Sequence, residues 1–170
     1  MILVDHQIDE LCRDGMVSPY DPSLLNPTSL DVRLGDTLLI ESVESDALVV
    51  YPLQGHSESN PYWMVPGQFL LAQTVETFNL PDTVAAQFVL KSSRAREGLE
   101  HLLAGFCDPG WHGSVLTLEL HNSRQLHPIR LWPGMRIGQM CFQGLAEPPR
   151  RSYRVTGRYN GDATVQASKG

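Results

Sequence analysis

Eight short runs of β-branched or alternating apolar residues dominate the chain: SLDVRLG, TLLIES, ALVVYPL, FLLAQTVETF, TVAAQFVL, SVLTLELHN, PIRLW and MRIGQMCF. Turn signals such as NLPD, DPGWHG and WPGM separate them, and Pro66-Gly67 and Pro133-Gly134 suit tight turns. Many short strands between Gly/Pro turns can bury their apolar faces only by closing on one another, so the pattern predicts an all-β barrel or sandwich. Helix signals are scarce beyond the N-terminus. There Asp5 is placed to cap a short helix running to about Asp14, with Ile8, Leu11 and Cys12 on one face and Gly15 as its stop. No internal repeat and no linker is visible, so residues 1–170 are expected to form one domain. The last stretch, RSYRVTGRYNGDATVQASKG, is polar and aperiodic and reads as a mobile tail unless something orders it.

Charge narrows the function. The net charge of -6 argues against nucleic acid as a partner, because such binding draws on a basic surface. The charge is unevenly divided: residues 1–60 carry 2 basic and 11 acidic side chains, residues 61–170 carry 11 and 8. A compact anion such as a nucleoside triphosphate suits the second part. No window approaches the roughly 18–20 apolar residues of a membrane span, and MILVDHQIDE is charged too early for a signal peptide. A cytoplasmic protein with no membrane partner is expected. The three cysteines, Cys12, Cys107 and Cys141, contain no CxxC pair and signal neither a disulfide framework nor a zinc site.

Three stretches carry candidate chemistry. In LTLELHN, period-2 alternation sends Leu116, Leu118 and Leu120 to the core and Thr117, Glu119 and His121 to the other face, where Glu119 is either a solvated side chain or a general base aimed into a cleft. In KSSRAREGL, Lys91, Arg94 and Arg96 surround Ser92 and Ser93, a set of forked cations and hydroxyl donors suited to phosphate or to a developing anion. In DPGWHG, Asp108 at a turn can accept from a sugar hydroxyl while the Trp111 indole packs on a ring or simply caps the core. His56-Ser57-Glu58 forms an HxE, but the PCxxC that zinc-dependent nucleotide deaminases need is missing, as are GxxxxGK[ST] and GxSxG.

Taken in order, TSLDVRLGD, KSSRAREGL, AGFCDPGWHGSVLTLELHN, LWPGMRIGQMCF and YNGDATVQASKG resemble the motifs of the dCTP deaminase family, relatives of the trimeric dUTPases. The resemblance implies a distorted β-barrel of the dUTPase-like, or β-clip, type, a homotrimer with active sites between subunits, and deamination without zinc. It implies that Glu119 takes a proton from water so that hydroxide adds to C4 of cytosine, that Ser92 holds this water, and that Arg96 orients Glu119. Lys91, Ser93, Arg94 and Ala95 complete that segment for phosphate or neighbouring-subunit contacts. Ala104, Asp108, Trp111, Thr117 and Leu118 match the segments around deoxyribose and base. Tyr153, Arg158 and Asp162 match a tail, residues 150–170, that closes over the nucleotide, whose triphosphate brings Mg2+. The implied ligands are dCTP, with dUTP and the inhibitor dTTP beside it.

The chain departs from the family in its tail, with Asp162 for a common glutamine and Thr164-Val165 for Gly-Pro, and in Lys91 and Arg94. One extra residue in GSVLTLE suggests a β-bulge near Ser114. The leading expectation is release of dUTP. The second is the bifunctional branch, which AGFCDPGW resembles and which releases dUMP and pyrophosphate, with Asp108 orienting the hydrolytic water. A plain dUTPase would leave Glu119, Ser92 and Arg96 idle. A nucleotide-sensing trimer that has lost catalysis is the alternative from outside enzymology.

Overall fold

A computed structural model describes all 170 residues, Met1–Gly170. Its elements, in chain order, are α1 (Asp5–Arg13), β1 (Val17–Ser18), a 3-10 turn (Pro22–Leu24), β2 (Leu25–Asn26), β3 (Ser29–Arg33), β4 (Thr37–Ser42), β5 (Ser45–Pro52), β6 (Tyr62–Met64), β7 (Phe69–Asn79), β8 (Val84–Leu90), α2 (Ser92–Arg96), β9 (Leu99–His101), β10 (Phe106–Cys107), β11 (His112–Asn122), β12 (Ile129–Leu131), β13 (Arg136–Gly144) and α3 (Tyr153–Thr156). All eight strand-like runs are strands. Helix α1 begins one residue earlier than the sequence suggests: Val4 is the N-cap, its N–H donating to Gln7 Oε1 at 3.2 Å, because the Asp5 N–H is already drawn to the Pro27 carbonyl at 2.9 Å.

Every strand pairing is antiparallel. One sheet runs β5-β4-β7-β11-β9, with β1 also on β7; a second runs β10-β8-β13-β3-β2; β12 and β6 form a separate ribbon. The inner faces of the sheets meet in a cluster of 31 buried residues that includes Leu30, Val32, Leu70, Phe78, Leu118, Leu120, Met140 and Phe142. This arrangement is the all-β architecture that the alternating runs predict, and it agrees with the dUTPase-like fold that the family resemblance implies.

Strands β7 and β11, eleven residues each, set the geometry of the outer face. Leu116, Leu118 and Leu120 are buried, while Thr117, Glu119 and His121 turn outward. Cross-strand partners share a face, so the register Thr117↔Gln73, Glu119↔Leu71 and His121↔Phe69 surrounds Glu119 with Gln73, Leu71 and Phe69. The bulge expected near Ser114 is present: His112 pairs with Asn79 and Ser114 with Phe78, leaving Gly113 extra, at φ 65°. The slip re-aims the strand so that the Ser114 hydroxyl reaches the tail.

In the second sheet, Asp31 on β3 is almost fully buried. Its carboxylate accepts from Lys91 Nζ at 2.7 and 2.8 Å and from Asn26 Nδ2 at 2.8 Å, with Arg136 Nη1 at 3.6 Å. A buried carboxylate is tolerable only when so paired. The pair pins the start of α2 to β3 and gathers TSLDVRLGD, KSSRAREGL and LWPGMRIGQMCF in one place.

Candidate active site

The outward face of β11 forms the floor of a cavity of about 580 Å³. Thr117 and Glu119 rise from β11, Phe69 and Leu71 from β7, and Leu48 from β5. Ala104, Phe106, Cys107, Asp108 and Trp111 come from β10 and the segments beside it, and Tyr153, Tyr159, Asp162 and residues 166–168 from the tail. The volume is within the roughly 300–1,000 Å³ of small-molecule sites.

Glu119 is the feature with the clearest chemical meaning. Its side chain is 25% exposed, yet Oε2 is buried and makes no hydrogen bond; it lies 3.2 Å from the equally unpartnered Nε2 of His101, whose side chain is 4% exposed. The two atoms are close but misaligned for a hydrogen bond. Buried polar atoms are nearly always paired, and exceptions concentrate at sites that do chemistry. His101 is itself held from behind by Phe88, ring centroids 4.7 Å apart, and a methyl group on Gly138 would meet the Phe88 ring at 2.1 Å. Strand packing thus fixes the imidazole that faces the carboxylate.

Trp111 does both things its sequence context allows. It stacks on Phe78 at 5.5 Å in the core, and it lines the cavity while its indole N–H donates to the Tyr159 carbonyl at 2.8 Å. Asp108 is exposed at the rim. Cys107 also reaches the cavity, but burial, and then the Asp108 charge, pushes its thiol far above the usual range, so it is no nucleophile at neutral pH.

The tail, expected to be mobile unless something orders it, is ordered by its own chain. Backbone bonds join Val115 N to Asp162 O at 2.9 Å and Gly161 N to His112 O at 3.1 Å, and the Ser114 hydroxyl donates to Tyr159 O at 2.9 Å. Gln73 Oε1 accepts from Val165 N at 2.8 Å and from the Thr164 hydroxyl at 2.9 Å, and Val165 is buried against Leu39 and Leu71. What orders a polar segment here is strand β11, which supplies the backbone partners, and the cleft, which supplies an apolar seat for a single valine. Asp162 faces Lys169 Nζ at 2.7 and 2.8 Å. Replacing Gln73 with Leu removes two hydrogen bonds, each worth about 0.5–1.5 kcal/mol, and is expected to speed tryptic cleavage after Arg158 about tenfold in limited proteolysis.

The remaining candidate residues lie elsewhere. Leu118 is fully buried in the core and does not line the cavity. Arg158 is exposed outside the cavity lining. Ser92, Ser93, Ala95 and Arg96 are exposed on α2, and neither Ser92 nor Arg96 bonds to Glu119 within the chain. Lys91 is committed to Asp31, and Arg94 to Glu97 at 2.9 Å. Phe69, Leu71, Leu48, Gln73, Tyr159 and His101 were not anticipated. The period-2 pattern of FLLAQTVETF puts Phe69, Leu71 and Gln73 on one face, but only the register with β11 shows that it is the face of Glu119.

Two packed antiparallel sheets, with a carboxylate on the central strand and a C-terminal segment laid over it, define a protein of the dUTPase-like fold. A solved structure of 2'-deoxycytidine 5'-triphosphate deaminase from Agrobacterium tumefaciens has this fold, with a TM-score of 0.67 over 84% of this chain; the chain spans 47% of that protein and shares 22% identity with it. The family model described as dCTP deaminase-like matches residues 2–145, and the chain belongs to the dCTP deaminase family of enzymes. It is similar to the "dCTP deaminase, dUMP-forming" of Clavibacter michiganensis subsp. michiganensis, 39% identical over 99% of this chain and 90% of the relative. It is likewise similar to the protein of that name from Streptomyces avermitilis, 40% identical over 99% of this chain and 95% of the relative.

Proposed function

We propose that this chain deaminates dCTP and then hydrolyses the triphosphate in the same site, releasing dUMP, ammonia and pyrophosphate. The observation that carries the reading is the meeting of Glu119, its buried oxygen unpartnered, with Asp108, Trp111 and the tail in one cavity. The naming of relatives about 40% identical as dUMP-forming moves the product from the first-expected dUTP to dUMP.

Glu119 takes a proton from water, and the hydroxide adds to C4 of the cytosine ring. The proton passes to the amino nitrogen, the C4–N bond breaks, ammonia leaves and C4 becomes a carbonyl. A second water, oriented by Asp108, attacks the α-phosphorus, and the bond to the bridging oxygen of pyrophosphate breaks. The sum is dCTP plus two waters giving dUMP, ammonia and pyrophosphate. Trp111 packs on the deoxyribose and crowds out a 2'-hydroxyl. The tail excludes water, strengthening electrostatics inside the closed site.

Ser92 and Arg96 are read as the holder of the first water and the cation that orients Glu119. Since neither reaches Glu119 within the chain, this reading calls for a neighbouring subunit, and the homotrimer implied by the family resemblance is proposed, with α2 of one subunit completing the cavity of the next. Within one chain no three His, Cys, Asp or Glu side chains gather as metal ligands, and the proposed mechanism does not call on zinc. The cavity does suit Mg2+ carried by phosphate oxygens and water, which needs little from the protein; Asp108 is the exposed carboxylate at the rim that can contact its hydration shell. Such an ion neutralises triphosphate charge. No helix of the chain is long and apolar enough to cross a membrane, and a cytoplasmic location is proposed with this nucleotide chemistry.

Ammonia release from dCTP, CTP and dCMP tests the reading. Release from dCTP alone is expected. Release from CTP at the same rate contradicts the role given to Trp111, and no release from dCTP favours a nucleotide-sensing trimer.

A further inference from the structure

A second cavity, of about 540 Å³, shares no residue with the first. Its walls are Trp63 on β6, Arg130 on β12, Trp132 just beyond β12, Arg94 on α2, and Arg124 and His127 in the loop between β11 and β12. Trp63 and Arg130 are cross-strand partners and point to the same side of the ribbon. Arg94 and Arg130 are both held over the Trp132 ring, 5.5 and 5.4 Å from its centroid, so the cationic wall is already in place.

Two properties of this cleft lack a structural explanation. Glu97 is its one acidic residue, and both its oxygens are taken by Arg94 at 2.9 Å, while Arg124 and His127 have no side-chain hydrogen bond or ion pair. On a chain of net charge -6, Arg124 and Arg130 are two guanidiniums with no internal carboxylate partner, Arg130 donating only to the Glu58 carbonyl at 2.6 Å. The Trp63 side chain, second, is 54% exposed and pairs with no aromatic ring. An open indole face beside forked cations recognises a planar ring attached to an anion: the ring stacks on the indole, and the arginines take phosphate oxygens in forked bonds.

We propose that this cleft is a second ligand site for a nucleoside polyphosphate, separate from the cavity that holds Glu119. Its base stacks on Trp63 and its phosphates lie on Arg124, Arg130 and His127. A free nucleotide fits the compact cleft and the acidic remainder of the surface better than a nucleic-acid strand, which needs an extended basic track.

Isothermal titration of the full chain with ATP, without added metal, tests this, because a purine ribonucleotide is excluded from the first cavity by the crowding assigned to Trp111. One saturable site per chain is expected. The double variant Trp63→Ala/Arg124→Ala is expected to weaken ATP binding at least tenfold, with dCTP turnover unchanged as proof of folding. In Asp108→Ala, ATP binding is expected to be unchanged. Inorganic tripolyphosphate is expected to bind at least tenfold more weakly than ATP, and a 20-nucleotide deoxyadenosine strand no more tightly. Absence of ATP binding, indifference to the double variant, loss in Asp108→Ala, equal affinity for tripolyphosphate, or tighter binding of the strand would each overturn the proposal.

Discussion

Glu119→Gln is expected to lower ammonia release from dCTP about 10³-fold, within the roughly 10²–10⁴ attributed to a positioned general base, while leaving urea unfolding within about 0.5 kcal/mol of the parent. The substitution keeps the shape and removes only the basic oxygen. Glu119 lies on the outward face of β11, a quarter exposed, and contributes nothing to the buried cluster of leucines behind it. Its Oε2 makes no hydrogen bond in the chain, so no structural bond is lost. If turnover survives the change, the carboxylate is not the base and the mechanism fails at its first step.

Equal amounts of Arg96→Ala and Glu119→Gln protein, each inactive alone, are expected to recover about a quarter of parental activity once their subunits are exchanged. In the proposed cyclic trimer each site would take Glu119 from one subunit and Arg96 from its neighbour, and each is the intact copy in half of the random draws. The reason to expect this is the division of the motifs over the fold. The Asp31–Lys91 pair ties α2 to β3, which leaves Ser92 and Arg96 exposed and unbonded to the carboxylate they are assigned to serve. No recovery after exchange, with each variant shown to be folded, places the two residues in one chain's site and removes the need for neighbours.

The alternating runs of the sequence were enough for the architecture because each long strand has one buried face. Leu116, Leu118 and Leu120 go inward and Glu119 outward, as period 2 requires. Strands of two or three residues, such as β1, β9 and β10, carry no period to read. The bulge at Gly113 could be anticipated from the one residue by which GSVLTLE exceeds the family's motif, but the tail could not. Its order depends on partners far away in sequence, Gln73 for Val165 and Ser114 for Tyr159, whose positions follow from the β7–β11 register. The candidate site was legible where a motif and a strand face coincide, at Asp108, Trp111, Thr117 and Glu119. It was not legible at Phe69, Leu71 and His101, ordinary residues that matter because the fold aims them at the carboxylate. Leu118, matched to the segment around the base, has its side chain in the core as alternation requires.

Departures in the tail have a physical counterpart. Where relatives' motifs place Gly-Pro, Thr164 and Val165 give a hydroxyl to Gln73 and a side chain to the Leu39–Leu71 cleft, and Asp162 pairs with Lys169. The segment is thus held by contacts of its own before any nucleotide contributes.

The central claim, that one site removes ammonia and then pyrophosphate, is tested most directly by following dCTP with Mg2+ to low conversion and separating the nucleotides by ion exchange. Ammonia, pyrophosphate and dUMP are expected in equal amounts from the first time point, with no free dUTP at any stage. Accumulation of dUTP with ammonia and no pyrophosphate would contradict the account and leave a deaminase that stops after the first step.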